Sequence, residues 1–169
     1  MGSKVAIRET QHGDITAITD IYNDAILNTT AVYSYEPVTS ADRLDWFSSK
    51  IDNGYPVFVA TSGLQGVGFA TYGSFRAWPA YLHTIEHSVY VDAEQRGRGV
   101  GRALLEKLIE DATSKNYHVL IAGINAENQA SLRLHEGLGF GQVAHFKEVG
   151  FKFDRWLDLV FMRRFLSKT

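Results

Sequence analysis

The sequence predicts an α+β protein with a mixed central β-sheet and helices on both of its faces. Three observations indicate this class: β-type runs with alternating or continuous apolar residues, helical runs with apolar residues three and four positions apart, and hairpins that alternate with helical crossovers. The predicted order of elements is β-α-α-β-β-β-α-β-α-β-β. Because the chain has 169 residues, we expect residues 1–169 to form a single domain.

The first elements are a short strand and two helices. Alternation in Val5–Arg8 predicts the strand, and Asp14 is expected to cap a helix whose apolar residues extend to Ile26. A second amphipathic helix is expected after Ser40 and should end at the turn signal of residues 53–54.

The patterns of residues 28–37 and 57–81 predict two loops and a hairpin. The β-rich runs 57–60 and 66–72 flank a short turn and predict the hairpin. Residues 28–37 show no period and end before a proline, which predicts a loop. Residues 75–81 place several aromatic side chains around one arginine and are also expected to form a loop.

The second half of the chain alternates strands and helices. We expect a strand over 84–91, a helix from Val100 to about Lys115, and a nearly continuous apolar strand over 118–124. Asn128 is then expected to cap a helix that the glycines near residue 139 end. Two further strands are expected over 140–153 and 156–165, across a turn near Asp154.

A glycine-rich turn joins the strand 84–91 to the helix that follows it. Arg96, Gly99 and Gly101 form the pattern R-x-x-G-x-G at the start of this helix, where unpaired N–H groups and the helix dipole favour an anion. The dinucleotide pattern would need glycine at Arg102, and a P-loop would end in Gly-Lys-Ser/Thr, so neither fits. A tight turn without a ligand is the alternative.

The turn resembles the pyrophosphate-binding loop of the GNAT superfamily of N-acetyltransferases, which bind acetyl-coenzyme A. Residues 128–140 are similar to the superfamily's N-x-x-(A/S)…G-F helix, and the predicted element order is that of the GNAT fold. The resemblance extends from about Ile7 to Phe165. Within the superfamily the chain is most similar to phosphinothricin and methionine sulfoximine acetyltransferases, through residues 84–91, 134–136, 150–152, Trp156 and Asp158.

This resemblance implies acetyl-coenzyme A as the cosubstrate and also implies where it binds. The main chain of residues 89–91 would bond the pantetheine arm, and the turn 96–101 would surround the pyrophosphate. The implied cofactor-binding residues are Val89, Tyr90, Val91, Arg96, Gly97, Arg98, Gly99, Val100, Gly101 and Asn128.

Two residues are the catalytic candidates. Glu86 is expected to be the general base, directly or through water, because an α-amine titrates near pH ~8 and cannot attack while protonated. The alternative is that Glu86 is a solvated strand residue or binds the ammonium without deprotonating it. By the resemblance, His135 stands where many members carry a tyrosine proposed to protonate the departing thiolate. A packing role is the alternative for His135.

The acceptor pocket is expected in the aromatic loop. Arg76 is the cation of this loop and is suited to pair a carboxylate or phosphinate. The alternative is that the aromatic residues are core or dimer contacts and Arg76 is solvated. The residues expected to bind the acceptor are Tyr33, Phe75, Arg76, Tyr81 and Glu86.

Composition narrows the range of partners. The formal net charge is −2 without a run of basic residues, so no nucleic-acid partner is expected. The chain has no cysteine, which excludes a cysteine nucleophile and a thiolate metal site. No apolar segment resembles a signal peptide or approaches the roughly 20 residues that cross a bilayer. We therefore expect a cytoplasmic protein without a membrane partner.

Two further expectations concern metals and assembly. His83 and His87 alternate on one predicted strand, but other ligands at suitable spacing are missing, so no metal site is expected. The aromatic residues of segment 146–156 favour a homodimer, with this segment at the interface.

The sequence thus predicts an acetyl-CoA-dependent N-acetyltransferase that acetylates the α-amine of a small amino acid or analogue by direct transfer. Phosphinothricin, methionine sulfoximine and methionine sulfone are the expected acceptors. Two alternatives stay open. A protein or peptide N-acetyltransferase would share the cofactor residues but have an open groove at 75–81, and a non-catalytic acyl-CoA sensor would bind the cofactor without turnover.

Overall fold

The computed structural model describes residues 4–166, which form a seven-stranded sheet of order β1-β2-β3-β4-β5-β7-β6. All neighbouring strands are antiparallel except β4 and β5, which confirms the predicted mixed sheet. No helix in this range has the length and apolar character to cross a bilayer. The strands are β1 (Val5–Glu9), β2 (Val57–Ser62), β3 (Gln65–Ser74), β4 (Thr84–Val91), β5 (Val119–Asn125), β6 (Gly141–Lys152) and β7 (Arg155–Phe165), and the helices are α1 (Ile15–Asn28), α2 (Ser40–Asp52), α3 (Val100–Ser114) and α4 (Gln129–Gly137).

Helices cover both faces of the sheet because the central strands are apolar on both sides. On one face Phe69 of β3 packs with Ile18 of α1 and Phe47 of α2. The next residue, Ala70, points to the other face and belongs to the cluster that contains Leu104 of α3. The predicted placement of helices on both faces is therefore confirmed.

Strands β4 and β5 lie side by side only at their beginnings. Their pairing ends at Glu86 and Ile121, although β4 continues to Val91 and β5 to Asn125. Strand β4 remains paired with β3 as far as Val91. Past Glu86 its other edge has no strand partner among residues 4–166, so the two strands enclose a cleft that opens toward their carboxyl ends.

The turn between β4 and α3 depends on two glycines in left-handed backbone. Gly97 has φ +73° and Gly99 has φ +81°, which L-residues with a side chain rarely adopt. Gly99 is the N-cap residue of α3, and no side chain caps this helix. The amides of its first turn are therefore left for a ligand or water.

Helix starts differ from the expectation at two places. Asp14 stands at the N-cap position of α1 as expected, but its carboxylate forms no hydrogen bond with this helix; it accepts from the Gln11 N–H over 2.7 Å and lies 2.7 Å from Arg8 Nη1. The strong pairing with a guanidinium holds the carboxylate away from the helix end. Helix α2 includes Ser40, since the preceding Thr39 forms a capping box with Asp42.

Candidate active site

An open cleft of about 910 Å³ occupies the space between β4 and β5. Its walls come from the end of α1, from β4, from the glycine turn, from β5 and from α4. The splayed strands explain its position, since each presents an unpaired edge to it. The predicted site residues that line the cleft are Val89, Tyr90, Val91, Arg96, Gly97, Gly99, Gly101, Asn128 and His135.

Two residues of the glycine turn direct their side chains elsewhere. Arg98 is exposed, and its guanidinium donates to Gln95 Oε1 over 3.4 Å. Val100 is 2% exposed and packs in the core beneath α3. The side chain of Val100 is therefore unavailable to an anion at the turn, and that of Arg98 lies beside Gln95, which lines the cleft.

Charged side chains surround the start of α3. Arg96 pairs with Asp24 of α1 at 3.3 Å, and Arg102 pairs with Glu106 at 2.9 Å. Both arginines line the cleft. Arg102 was not predicted as a site residue, although its position directly after the last glycine of the motif is a signal that could have identified it.

The mouth of the cleft carries an ion pair that sequence reasoning missed. Arg155 at the start of β7 lies 2.5 Å from a carboxylate oxygen of Glu127, and both residues line the cleft. They are 28 positions apart, so no local pattern relates them. Asn128 follows directly and caps α4 as predicted, since its Oδ1 accepts from the N–H of Ser131 over 3.1 Å.

Two histidines meet where β4 and β5 separate. His87 of β4 and His135 of α4 are both buried, and their Nε2 atoms are 3.0 Å apart. His87 Nδ1 lies 3.0 Å from the carbonyl oxygen of Ile121, and His135 Nδ1 lies 2.7 Å from that of Ser131. Burial lowers the pKa of His87 to about 3, with a smaller effect from His135, and burial also lowers the pKa of His135.

Glu86 lies on the opposite face of β4 from His87, at the edge of the cleft. Its carboxylate oxygen Oε1 is 3.3 Å from the point that a Cβ atom on Gly123 would occupy, and Gly123 lines the cleft. Burial raises the pKa of Glu86, and the positive charge of Arg76 opposes part of this rise. A half-buried carboxylate with a raised pKa next to a cleft is suited to accept a proton.

The aromatic loop brings three of the predicted acceptor residues together. The Arg76 guanidinium lies 5.1 Å from the ring centroid of Phe75, whose ring also contacts those of Tyr81 at 5.8 Å and Phe161 at 6.1 Å. Phe161 in turn lies against Gly123, since a Cβ there would meet its ring at 3.3 Å. The loop therefore reaches the side of the cleft where Glu86 lies.

Tyr33 lies in a different group of contacts from the aromatic loop. Its ring packs on Gly150 of β6, and its hydroxyl donates to the carbonyl oxygen of Asp158 over 3.2 Å. Burial raises the pKa of Tyr33, and the side chain of Asn125 opposes the rise. Tyr33 thus stands near the carboxyl end of β5, where the cleft opens.

A buried lysine holds the segment after α1. Lys152 is 4% exposed, and its ammonium donates to the carbonyl oxygens of Ile26 at 2.5 Å, Thr29 at 2.7 Å and Val32 at 2.7 Å. These three bonds attach the segment, which lines the cleft, to the β6–β7 hairpin. No sequence signal indicated this role, since the partners are more than a hundred positions away.

Comparisons with known proteins agree with this geometry. The chain is 43% identical over 159 residues to the L-amino acid N-acyltransferase of Escherichia coli (strain K12), which covers 94% of this chain and 92% of that protein. It is 43% identical over 159 residues to the L-methionine sulfoximine/L-methionine sulfone acetyltransferase of Salmonella typhimurium (strain LT2), with 94% and 93% covered.

A solved structure has the same fold. The phosphinothricin acetyltransferase from Sinorhizobium meliloti, in complex with acetyl-CoA, superposes with a TM-score of 0.93 at 36% identity, covering 96% of this chain and 89% of that chain. The acetyltransferase (GNAT) family matches residues 17–140, a range that includes the glycine turn and α4. The chain therefore belongs to the GNAT family of acetyltransferases, and the predicted family and fold are confirmed.

Proposed function

We propose that this protein acetylates the α-amine of a small amino acid or analogue with acetyl-CoA, by direct transfer. Methionine sulfoximine, methionine sulfone and phosphinothricin are the proposed acceptors, supported by the names of the relatives. The observation that supports the chemistry best is the position of a half-buried carboxylate, Glu86, beside Gly123, which lines the same cleft as the uncapped start of α3.

Acetyl-CoA is proposed to bind along the free edge of β4. The amides of its pantetheine arm can pair with the main chain of residues 89–91 in the manner of an added strand. Its diphosphate is proposed to accept from the N–H groups of the turn 96–101, where the dipole of α3 favours negative charge. Arg96 and Arg102 add positive charge at the same place, and Asn128 bounds the cleft on the opposite side.

Substituting Gly99 by alanine is expected to weaken acetyl-CoA binding. A side chain in left-handed backbone costs roughly 1–2 kcal/mol, and relief of this strain would turn the amides away from the diphosphate. We expect the KM for acetyl-CoA to rise about 5- to 20-fold while kcat changes little. Gly54→Ala is the matched control, because Gly54 has φ +75° and open space around it but lies outside the cleft. Equal KM values for the two variants would contradict the proposal.

The proposed reaction needs no covalent intermediate. Glu86 takes a proton from the ammonium, directly or through water, and the free amine attacks the thioester carbonyl. A main-chain N–H near Val89 is proposed to bond the developing oxyanion. The C–S bond then breaks with its electron pair on sulfur. His135 was expected to protonate that sulfur, and both of its ring nitrogens contact protein atoms in this structure.

Arg76 is proposed to pair the acceptor's carboxylate or phosphinate, beside the aromatic rings of Phe75 and Tyr81. Tyr33 is proposed to bound the acceptor from the other side. We propose that the aromatic loop closes over the acceptor, which would favour a small acceptor over a polypeptide that needs an open groove. This distinction separates the proposal from a protein N-acetyltransferase.

Removing the charge of Arg76 is expected to change the pH profile. Glu86 must be deprotonated to act as a base, so activity falls as the pH falls through its pKa. Because Arg76 lowers this pKa, Arg76→Gln should raise it and move the acid limb of kcat/KM to higher pH. Since Arg76 is exposed, added salt should produce a similar shift in the wild-type protein. Arg133→Gln, at an exposed position on α4, should leave the limb unchanged, and an unmoved limb in Arg76→Gln would contradict this role.

The function is tested by release of the coenzyme A thiol over a panel of amines. The panel contains the three proposed acceptors, ordinary amino acids, peptides with free N-termini and lysine peptides. Turnover on the small acceptors, with the acetyl group on the α-nitrogen by mass spectrometry, is the expected result. Turnover on peptides alone would favour the protein acetyltransferase, and acetyl-CoA binding without turnover on any amine would favour a sensor.

The proposal extends to assembly and location. Residues 1–169 are proposed to act as one domain, in the cytoplasm, without a nucleic-acid, membrane or metal partner. A homodimer is proposed through the β6–β7 hairpin, because its exposed side chains include Phe146, Phe151 and Trp156. Sedimentation equilibrium is expected to give twice the chain mass, and a monomer at micromolar concentration would contradict the dimer.

A further inference from the structure

The paired histidines at the separation of β4 and β5 have more contacts than a neutral pair has protons. The contacts are His87 Nδ1 with the Ile121 carbonyl, His87 Nε2 with His135 Nε2, and His135 Nδ1 with the Ser131 carbonyl. Each contact needs one N–H, because a carbonyl oxygen only accepts and two bare ring nitrogens repel. Two neutral imidazoles provide two protons for these three contacts.

The arrangement of the protons follows from the partners of the two Nδ1 atoms. His87 Nδ1 faces the Ile121 carbonyl, which can only accept, so this nitrogen carries a proton, whereas His135 Nδ1 also lies 3.4 Å from Ser131 Oγ, which can donate to it. A neutral His87 then has a bare Nε2. The facing His135 Nε2 must donate across the 3.0 Å contact, which leaves His135 Nδ1 as the nitrogen that gains or loses the third proton.

We propose that His87 is a positioning residue for the acetyl transfer, holding a proton on His135 Nε2 so that His135 Nδ1 exchanges protons with the cleft through Ser131. The inference rests on the proposed function for its role in transfer, but the proton arrangement stands apart from it. Ser131 Oγ lies 3.4 Å from His135 Nδ1, and Ser131 lines the cleft. His135 also lines the cleft, but both of its ring nitrogens contact protein atoms, so we propose that it acts on sulfur through the Ser131 hydroxyl.

The proton count of the reaction agrees with this arrangement. An ammonium nitrogen loses two protons as it becomes an amide: one is released to solvent through Glu86, and the other balances the proton that sulfur gains. Water carries the second proton of the nitrogen to His135 Nδ1 of the neutral pair. When the C–S bond breaks, Ser131 Oγ gives its proton to sulfur and takes the one on His135 Nδ1, which leaves the pair neutral again.

The groups around His87 and His135 favour release of the proton from His135 Nδ1. The ring of Phe140 lies 5.7 Å from that of His87 and 5.0 Å from that of His135. In the described part of the chain, the group whose charge acts on the His87 pKa is His135 itself. The carboxylate of Glu86 lies on the other face of β4. Burial without a carboxylate partner favours the neutral pair, while the Ser131 carbonyl stabilises the protonated one.

Imidazole nitrogen NMR on the whole protein tests the proton arrangement. The 15N shifts of wild-type protein are expected to show Nδ1–H with a bare Nε2 on His87, and Nε2–H on His135. In His87→Phe the acceptor is lost, so the neutral His135 should move its proton to Nδ1, where the Ser131 carbonyl accepts it. A bare Nε2 on His135 in the wild-type protein would overturn the inference, whether or not any variant folds.

Kinetics test the role in transfer. We expect His87→Phe to lower kcat about 10- to 100-fold with the KM for acetyl-CoA within about threefold of wild type. His87→Gln should recover part of the loss, since its carbonyl oxygen can accept from His135 Nε2. Ser131→Ala should lower kcat while leaving Nε2–H on His135.

A matched histidine provides the control for these variants. His83 lies just before β4, is exposed, and does not line the cleft, so His83→Phe should change neither kcat nor the His135 shifts. An unchanged kcat in His87→Phe would overturn the positioning role. If the protein acetylates none of the amines but shows the expected 15N shifts, the proposed function is contradicted while the proton arrangement is supported.

Discussion

Glu86→Gln is expected to lower kcat/KM for the acceptor amine about 10²- to 10³-fold at neutral pH, within the range of roughly 10²- to 10⁴-fold that one general base contributes. Glutamine keeps the size and hydrogen-bonding capacity of the side chain but cannot take a proton from an ammonium. The KM for acetyl-CoA should stay near the wild-type value, because Glu86 reaches the cleft only past Gly123. Steady-state thiol release at saturating acetyl-CoA measures the effect.

The pH profile distinguishes a base from a residue that only binds the ammonium. If Glu86 is the base, the acid limb that reflects its burial-raised pKa should disappear in Glu86→Gln, and raising the pH should recover part of the rate. Glu110→Gln is the control, since Glu110 is an exposed residue of α3. If Glu86→Gln lowered kcat/KM less than about threefold and kept the acid limb, Glu86 would not be the general base and would at most bind the ammonium.

Lys152→Met is expected to lower the free energy of unfolding by about 2–4 kcal/mol, because it leaves the carbonyl oxygens of Ile26, Thr29 and Val32 without their donor. Methionine replaces the aliphatic stem, so most of the loss comes from hydrogen bonding. A change of this size corresponds to a fall of roughly 5–12 °C in Tm for a chain of this length. Urea unfolding followed by circular dichroism measures the free energy.

The same substitution should also affect the acceptor. Because Lys152 fixes the segment that continues to Tyr33, its loss should raise the KM for the acceptor more than the KM for acetyl-CoA. Lys147→Met is the control, since Lys147 is an exposed residue on the same strand. If both variants lost the same small amount of stability, the three carbonyl bonds would not stabilise the fold as described.

The sequence predicted the bounds of most helices and strands to within two residues, because these bounds depend on residues that are close together in the chain. The change from β to helical periodicity around the glycine turn placed β4 at its observed bounds and began α3 at Val100. Turn and cap residues such as Asn128 act within three or four positions. Asp14 stands at the predicted N-cap of α1 but does not bond to the helix, because Arg8 of β1 and the N–H of Gln11 bind its carboxylate instead. A capping pattern in the sequence gives no information on such competing partners.

The sequence identified some residues of the candidate site but missed others, most of which have contacts distant in the chain. Residues of the motif turn, such as Arg96, and His135 lie in the cleft as expected. Arg102 and the pair of Glu127 with Arg155 were missed. The contact of His87 with His135 was also missed, since 48 positions separate the two rings.

By itself the sequence determined the order of the elements, the glycine turn that exposes the start of α3, and the acidic residue at the middle of β4, because each depends on neighbours a few positions away. Only the tertiary structure decided where β4 and β5 separate, that the Nε2 atoms of two buried imidazoles lie 3.0 Å apart, and that Lys152 fixes the segment beside the cleft. These features depend on burial and on distances between residues far apart in the chain, and burial is what changes the pKa values of Glu86 and His87.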